Sequence, residues 1–393
     1  MISSDAIHDW NSDCPRNLKP EDEIWMRRAI QLAKKGEGKV EPNPMVGCVL
    51  VRDGILVGEG WHDRFGGPHA EVNALASAGN KARGATAYVS LEPCCHCGKT
   101  GPCTEALAAA GVRKVVAARR DPFPEVQGKG LGTLQSFGIE TWVGCCQDEA
   151  NAILKPYLKL TQDGRPWVIV KWAMSLDGKI ASNTGMSQWI SCSESRKLVH
   201  RWRGRVDAIL TGSGTVLKDD PLLTARPSGE RTPTRIVLDR RGRISPNSRL
   251  AKTAKEFPFL VVTSTQTGAD WCRTMEQTGA EILTLPEEPT AFFKCLMDYL
   301  AKKRWTNLLV EAGPQLVGAL FDQNLMDEIR VFIAPTIIGG ENAPGPLGGL
   351  GANLPWEKWG DHQPEIEKIG PDVLIRSVRR DELQVVDNLE NHG

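Results

Sequence analysis

Long apolar runs are missing from this 393-residue chain: none approaches the ~20 residues needed to cross a bilayer, so no membrane partner is expected. Net charge is missing too. Lys and Arg together number 48 and Asp and Glu 48, which leaves no global basic field of the kind that draws proteins to nucleic acid, and no polynucleotide partner is expected. The first nineteen residues lack the apolar core of a secretory signal. No strand is followed by G-x-G-x-x-G, so a Rossmann dinucleotide fold is not implied. Repeats between the halves and extended low-complexity segments are absent as well. The eleven cysteines are odd in number and bunched, which fits a reducing, cytoplasmic compartment better than a disulfide framework.

What is present reads as two domains, since a chain of this length is long enough for two cores. A loose tail is expected over residues 1–20. A helix follows from about Glu21 to Lys35, with acids at its start, Lys34 and Lys35 at its end and Gly36 beyond. Val46 to Val51 and Ile55 to Val57 flank Asp53-Gly54, a strong hairpin signal. A helix opening at His69, a strand at Ala87 to Leu91, a helix after Cys103 and a strand at Lys114 to Ala118 complete a three-layer α/β sandwich over 21–163. Asp163-Gly164-Arg165-Pro166 punctuates the chain. A second α/β domain is expected over 167–382, with strands at Trp167 to Val170, Ala208 to Leu210, Arg235 to Leu238, Phe259 to Val262, Leu308 to Val310 and Ile329 to Ile333, before a tail over 383–393.

The chemistry concentrates in His69-Ala70-Glu71 and in Pro93-Cys94-Cys95-His96-Cys97-Gly98-Lys99-Thr100-Gly101-Pro102-Cys103. This is the H-x-E and P-C-x-x-C pattern of the zinc deaminases, in which one His and two Cys hold the metal and the Glu stays free to move protons. A zinc with three protein ligands keeps a position for water and lowers the pKa of that water toward neutrality. Glu71 is then the proton relay. A structural zinc knot would need a fourth ligand, and no second closely spaced His or Cys pair supplies it. Spacing alone leaves Cys97 and Cys103 both open as the partner of Cys94.

Leu91-Glu92-Pro93-Cys94, His96, Gly98-Lys99-Thr100 and Pro102-Cys103 resemble the deaminase half of the bifunctional riboflavin-biosynthesis deaminase/reductase family. Lys171, Ser175-Leu176-Asp177-Gly178-Lys179, Ser187-Gln188-Trp189-Ile190, Gly212-Ser213-Gly214-Thr215-Val216, Asp219-Asp220-Pro221, Val310-Glu311-Ala312-Gly313-Pro314 and Ile333-Ala334-Pro335 resemble its reductase half, in order. The resemblance implies a cytidine-deaminase-like domain followed by a dihydrofolate-reductase-like domain. It also implies one Zn2+ per chain on His69, Cys94 and Cys103, and NADPH as the second cofactor. The implied substrates are small phosphorylated pyrimidines: the diaminopyrimidine is deaminated, and the resulting 5-amino-6-(5-phosphoribosylamino)uracil is reduced to its ribityl form. A homo-oligomer is compatible with this reading. The alternative is a zinc-dependent nucleoside or tRNA-base deaminase with an appended nucleotide-binding domain.

By the same resemblance Asn43, His62, His96, Lys99, Thr100 and Asp121 contact the deaminase substrate. Lys171, Ser187, Arg203, Leu223, Arg226 and Glu311 contact the reductase substrate. Ala173, Trp189, Thr215, Asp219 and the run Gly313, Pro314, Gln315, Leu316, Val317, Gly318 and Ala319 lie along the cofactor. Arg240, after the strand ending at Asp239, is assigned to a cofactor 2′-phosphate. Two departures from the family pattern stand out. Phe123 in Asp121-Pro122-Phe123-Pro124 replaces an Asn and cannot supply an amide's hydrogen bonds, and Gly101 replaces a proline in the zinc loop.

Overall fold

The computed structural model describes residues 18–96, 101–354, 359–360 and 364–379. The chain forms two compact units that divide between Gly164 and Arg165, inside the Gly-Pro punctuation read from the sequence.

The first unit runs α1 (Pro20–Ala33), β1 (Gly47–Arg52), β2 (Ile55–Trp61), α2 (Ala70–Ala78), β3 (Thr86–Val89), α3 (Cys103–Ala109), β4 (Lys114–Ala117), α4 (Lys129–Ser136), β5 (Glu140–Val143) and α5 (Gln147–Asp163). Pro20 opens α1, Asp22 caps it by accepting from the Lys19 N–H at 2.9 Å, and Met26, Ala29, Ile30 and Ala33 bury one stripe. The sheet order is β2-β1-β3-β4-β5, antiparallel across β2-β1-β3 and parallel across β3-β4-β5. Alternate residues of β1 serve opposite faces. Cys48 and Leu50 pack with α2, α3 and α4, while Val49 and Val51 pack with α1 and α5, which makes three layers.

The helix that carries the chemistry is seated directly on the sheet. A Cβ at Gly60 would lie 2.4 Å from the Ala74 backbone nitrogen, so only glycine there lets α2 lie this close to β2. The Asn73 amide donates to the Trp61 carbonyl at 2.8 Å and ties the two together.

The second unit runs β6 (Trp167–Ser175), α6 (Ser193–Arg203), β7 (Ala208–Gly212), α7 (Ser213–Asp219), β8 (Thr234–Leu238), α8 (Arg249–Lys252), β9 (Phe259–Ser264), α9 (Ala269–Gln277), β10 (Glu281–Leu285), α10 (Pro289–Lys302), β11 (Asn307–Val310), α11 (Pro314–Asp322), β12 (Glu328–Ala334), β13 (Glu365–Ile369) and β14 (Asp372–Val378). Its sheet is ordered β10-β9-β8-β7-β11-β6-β12-β14-β13; β14 is antiparallel to both β12 and β13, and the other neighbours are parallel. Trp202, Val216, Leu250 and Met275 cover one face, and Phe292, Leu296, Val317 and Leu320 the other. Among the described residues no helix is long and apolar enough to cross a membrane.

Candidate active sites

His69 is the N-cap of α2, Cys94 follows the end of β3, and Cys103 opens α3. Strand ends and helix starts thus converge on one point, and both cysteines meet the same imidazole nitrogen. His69 Nδ1 lies 3.4 Å from Cys94 Sγ and 3.4 Å from Cys103 Sγ, and the ligand atoms of the trio all fall within 4.8 Å of one another. A tetrahedral zinc with ordinary Zn–N and Zn–S bonds sets N···S at about 3.6 Å. The donor set and the spacing therefore both fit zinc. The hydrogen bond with Cys103, together with His69, draws the Cys94 thiol well below its ordinary value, which suits a thiolate ligand.

Glu71 sits in the first turn of α2 and is 3% exposed. Burial, then the neighbouring Cys94, raises its carboxyl to about 7. A carboxyl beside the trio but outside it, titrating near neutrality, is suited to moving protons rather than to holding metal.

Asn43 and His62 are brought to the same place. His62 is buried with its ring edge-on to His69 at 5.3 Å; its Nδ1 lies 3.0 Å from the Pro68 carbonyl and its Nε2 3.2 Å from the Asn43 amide nitrogen. Burial lowers its pKa, so the neutral ring donates to Pro68 and accepts from Asn43. His96 has a buried Nδ1 without a hydrogen-bond partner, and its ring lies 6.1 Å from that of Phe123. The two rings are tilted by 57°, so Phe123 presents an aromatic group, not a hydrogen-bonding one, beside His96. Asp121 is buried and accepts from the Phe123 N–H at 2.9 Å and the Tyr157 hydroxyl at 2.7 Å, with burial raising its pKa to about 6. Lys99 and Thr100, like Cys97, lie outside the described residues.

In the sequence Glu92 stands out only as part of Leu91-Glu92-Pro93-Cys94. The fold buries it and gives its carboxylate three backbone donors, from Asp121 at 3.1 Å, Gly128 at 3.0 Å and Leu131 at 3.1 Å. It thereby pins the Asp121 loop and the start of α4 to a point two residues before Cys94. No local sequence signal announces this, because its partners are 29 to 39 residues distant.

In the second unit a cleft of about 1920 Å³ opens at the carboxyl ends of β6, β7, β8, β9 and β11, where open α/β sheets bind ligands. It is lined by all the reductase substrate positions, Lys171, Ser187, Arg203, Leu223, Arg226 and Glu311. Ala173, Trp189, Thr215, Asp219, Arg240, Gly313, Pro314, Gln315, Leu316 and Ala319 line it too. Val317 and Gly318 do not. Val317 is fully buried under the sheet, and a Cβ at Gly318 would lie 2.2 Å from the Gly348 carbonyl oxygen, so the helix turns these two away from the cleft. Gly313 caps α11, so free backbone N–H groups of that helix start face the cleft beside Arg240, Arg241 and Arg243, an arrangement that fits a phosphorylated dinucleotide.

Two of the reductase substrate positions are paired with each other inside the cleft. Arg203 does not offer an open fork: its Nε and Nη2 grip Glu311 Oε1 and Oε2 at 2.6 and 2.9 Å, and Lys171 stands 3.8 Å from the same carboxylate. Burial would raise Glu311's pKa, but Arg203 and Lys171 outweigh it and hold the group at about 2. Arg240 is likewise engaged, donating to the Glu287 carbonyl and lying 5.3 Å over the Phe292 ring.

A three-layer domain with a His-Cys-Cys centre, joined to a dihydrofolate-reductase-like domain with a cationic cleft, defines a zinc deaminase coupled to a nucleotide-dependent reductase. Residues 19–119 match the cytidine and deoxycytidylate deaminase zinc-binding region, and residues 166–375 match the RibD C-terminal domain. The riboflavin biosynthesis protein RibD of Escherichia coli (strain K12) is 43% identical over 376 residues, covering 91% of this chain and 99% of that protein. The protein of the same name from Aquifex aeolicus (strain VF5) is 39% identical over 360 residues, covering 91% and 98%. Acinetobacter baumannii RibD has a solved structure with a TM-score of 0.79 at 36% identity, covering 92% of this chain and 99% of that one. The solved diaminohydroxyphosphoribosylaminopyrimidine deaminase/5-amino-6-(5-phosphoribosylamino)uracil reductase of Thermotoga maritima matches with a TM-score of 0.79 at 34% identity and the same coverage. The chain belongs to the RibD family of bifunctional riboflavin-biosynthesis deaminase/reductases.

Proposed function

We propose that the first unit hydrolyses the 2-amino group of 2,5-diamino-6-(5-phosphoribosylamino)pyrimidin-4(3H)-one and that the second reduces the ribosyl chain of the resulting uracil. The observation that carries the reading is the His69, Cys94 and Cys103 trio with Glu71 beside it and outside it. Zinc held by the trio supplies a Lewis acid that makes water nucleophilic near neutral pH. Glu71 takes the proton from the attacking water and returns it to the departing nitrogen, so a C–O bond forms, the C–N bond breaks and ammonia leaves. Asn43 and His62, locked to each other, orient the pyrimidine. His96 and Asp121, together with Lys99 and Thr100, complete the hold on the phosphoribosyl group. The resemblance's Cys103, rather than Cys97, is the proposed third ligand.

NADPH supplies the hydride for the second reaction. The N-terminus of α11, from Gly313 to Leu316, with Ala319, would hold its pyrophosphate, and Ala173, Trp189, Thr215, Asp219 and Arg240 would flank it. Lys171, Ser187, Leu223, Arg226 and Glu311 place the phosphorylated substrate, while Arg203 holds Glu311 in its ionised form. The described cysteines are all free thiols, which supports a reducing compartment, the cytoplasm.

Metal analysis of ligand variants tests the first half. The unaltered chain should carry one zinc, Cys103→Ser should lose both the metal and ammonia release, and Cys97→Ser should keep both. The reverse pattern would exchange the two cysteines.

A further inference from the structure

The reductase cleft contains an imidazole that the sequence reading passed over. His200 and Arg203 lie one turn apart on α6 and so share the face turned to the cleft. Both address one backbone group: the Thr224 carbonyl oxygen accepts from Arg203 Nη1 at 3.3 Å and lies 3.1 Å from His200 Nδ1. A carbonyl only accepts, so Nδ1 carries the proton, and in the neutral ring Nε2 is left with a lone pair. Nε2 lies 3.3 Å from Arg226 Nη2, which only donates. The ring is thus a bridge with a defined direction, donating inward to the Thr224 carbonyl and accepting outward from an exposed guanidinium.

We propose that His200 is a positioning residue of the reductase, which in its Nδ1–H form holds the Arg226 guanidinium aimed into the cleft toward the substrate's phosphate. The charged groups that face the ring agree with a neutral form. Burial, then Arg203 and Arg226, lower its pKa and outweigh the Thr224 carbonyl and Glu311, which raise it. The backbone just before the first of these contacts is constrained, because Leu223 adopts a left-handed φ of 55° with its side chain buried, which helps to fix the Thr224 carbonyl that follows it. A continuous series of contacts then runs from Lys171 and Glu311 through Arg203 and the Thr224 carbonyl to His200 and Arg226. A long side chain that would otherwise lose rotamer freedom on binding is held before the substrate arrives.

The inference rests on Arg226 being a substrate contact, and the test separates the two. His200→Leu, His200→Gln, Arg226→Ala and the His200→Leu/Arg226→Ala double variant are compared as full-length chains with the deaminated uracil substrate and NADPH. His200→Leu should raise the substrate KM on the order of tenfold while kcat and the NADPH KM stay within about twofold. His200→Gln, whose side-chain carbonyl can accept from Arg226, should recover most of the loss. The double variant should be no worse than Arg226→Ala alone. An unchanged substrate KM in His200→Leu, with Arg226→Ala impaired, would overturn the role of His200. A His200→Leu variant that loses kcat and both affinities together, or does not fold, with His200→Gln equally impaired, would make the residue a structural one and overturn the proposal as well. An unaffected Arg226→Ala would instead remove the reading of Arg226, and the inference with it.

Discussion

Glu71→Gln should release ammonia at least ~10²-fold more slowly than the unaltered chain while keeping its zinc. Glutamine has the same shape, so the packing at this 3%-exposed position survives, and the trio of ligands is untouched. What is lost is a group able to take and return a proton near neutrality, the property that burial and Cys94 give Glu71 by raising its carboxyl to about 7. The same variant, supplied with the deaminated uracil, should oxidise NADPH at the unaltered rate, because the reductase residues lie in the second compact unit. Turnover of the diaminopyrimidine within a few-fold of normal would remove Glu71 from the mechanism.

The second large effect is expected at Arg203. Its alanine variant would leave Glu311, whose side chain is only 11% exposed, with Lys171, 3.8 Å away, as its remaining ion-pair partner. Removing one member of a buried, fully hydrogen-bonded pair costs about 3–5 kcal/mol, mostly the penalty of the charge left behind. Denaturant unfolding of the second unit should show that loss, and reductase turnover should fall with it. The sign of its pH dependence follows from Glu311. A carboxyl held at about 2 contributes its full stabilisation above the ordinary value of 4.5 and loses it only as pH falls from there toward 2. The stability gap between the two proteins should therefore be flat from pH 8 to about pH 5 and narrow below. A gap under about 1 kcal/mol at pH 7 would mean that the pair is solvated like a surface ion pair.

The deaminase centre was only partly legible from the residues themselves. The H-x-E and P-C-x-x-C pattern, placed at a helix start and after a strand, picked out His69, Glu71 and Cys94, whereas spacing left Cys97 and Cys103 both open and the resemblance alone chose Cys103, which the fold sets at the start of a helix beside His69. The reductase cleft was less legible. Arg203 and Glu311 are 108 residues apart, and nothing in either neighbourhood says that one fills the other's fork. Within the run Gly313 to Ala319 the helical period sends Gln315, Leu316 and Ala319 to the cleft and Val317 inward, a division that the linear sequence does not display. Edge strands also escaped. In β13 four of five residues are exposed, and β10 pairs on one side only, so neither shows the buried apolar run that marked β8 and β9. The long α5 gave little signal because Pro156 lies inside it and only Ala150 and Leu154 are buried.

The most direct test of a two-reaction protein is to count both products from one substrate. Purified zinc-loaded chain is given the phosphoribosylated diaminopyrimidine with excess NADPH, and ammonia released and NADPH oxidised are followed together. Ammonia should appear first, and the two totals should converge on one NADPH per ammonia. Ammonia accumulating with no NADPH consumed, or NADPH oxidised with no ammonia released, would contradict the two-reaction reading.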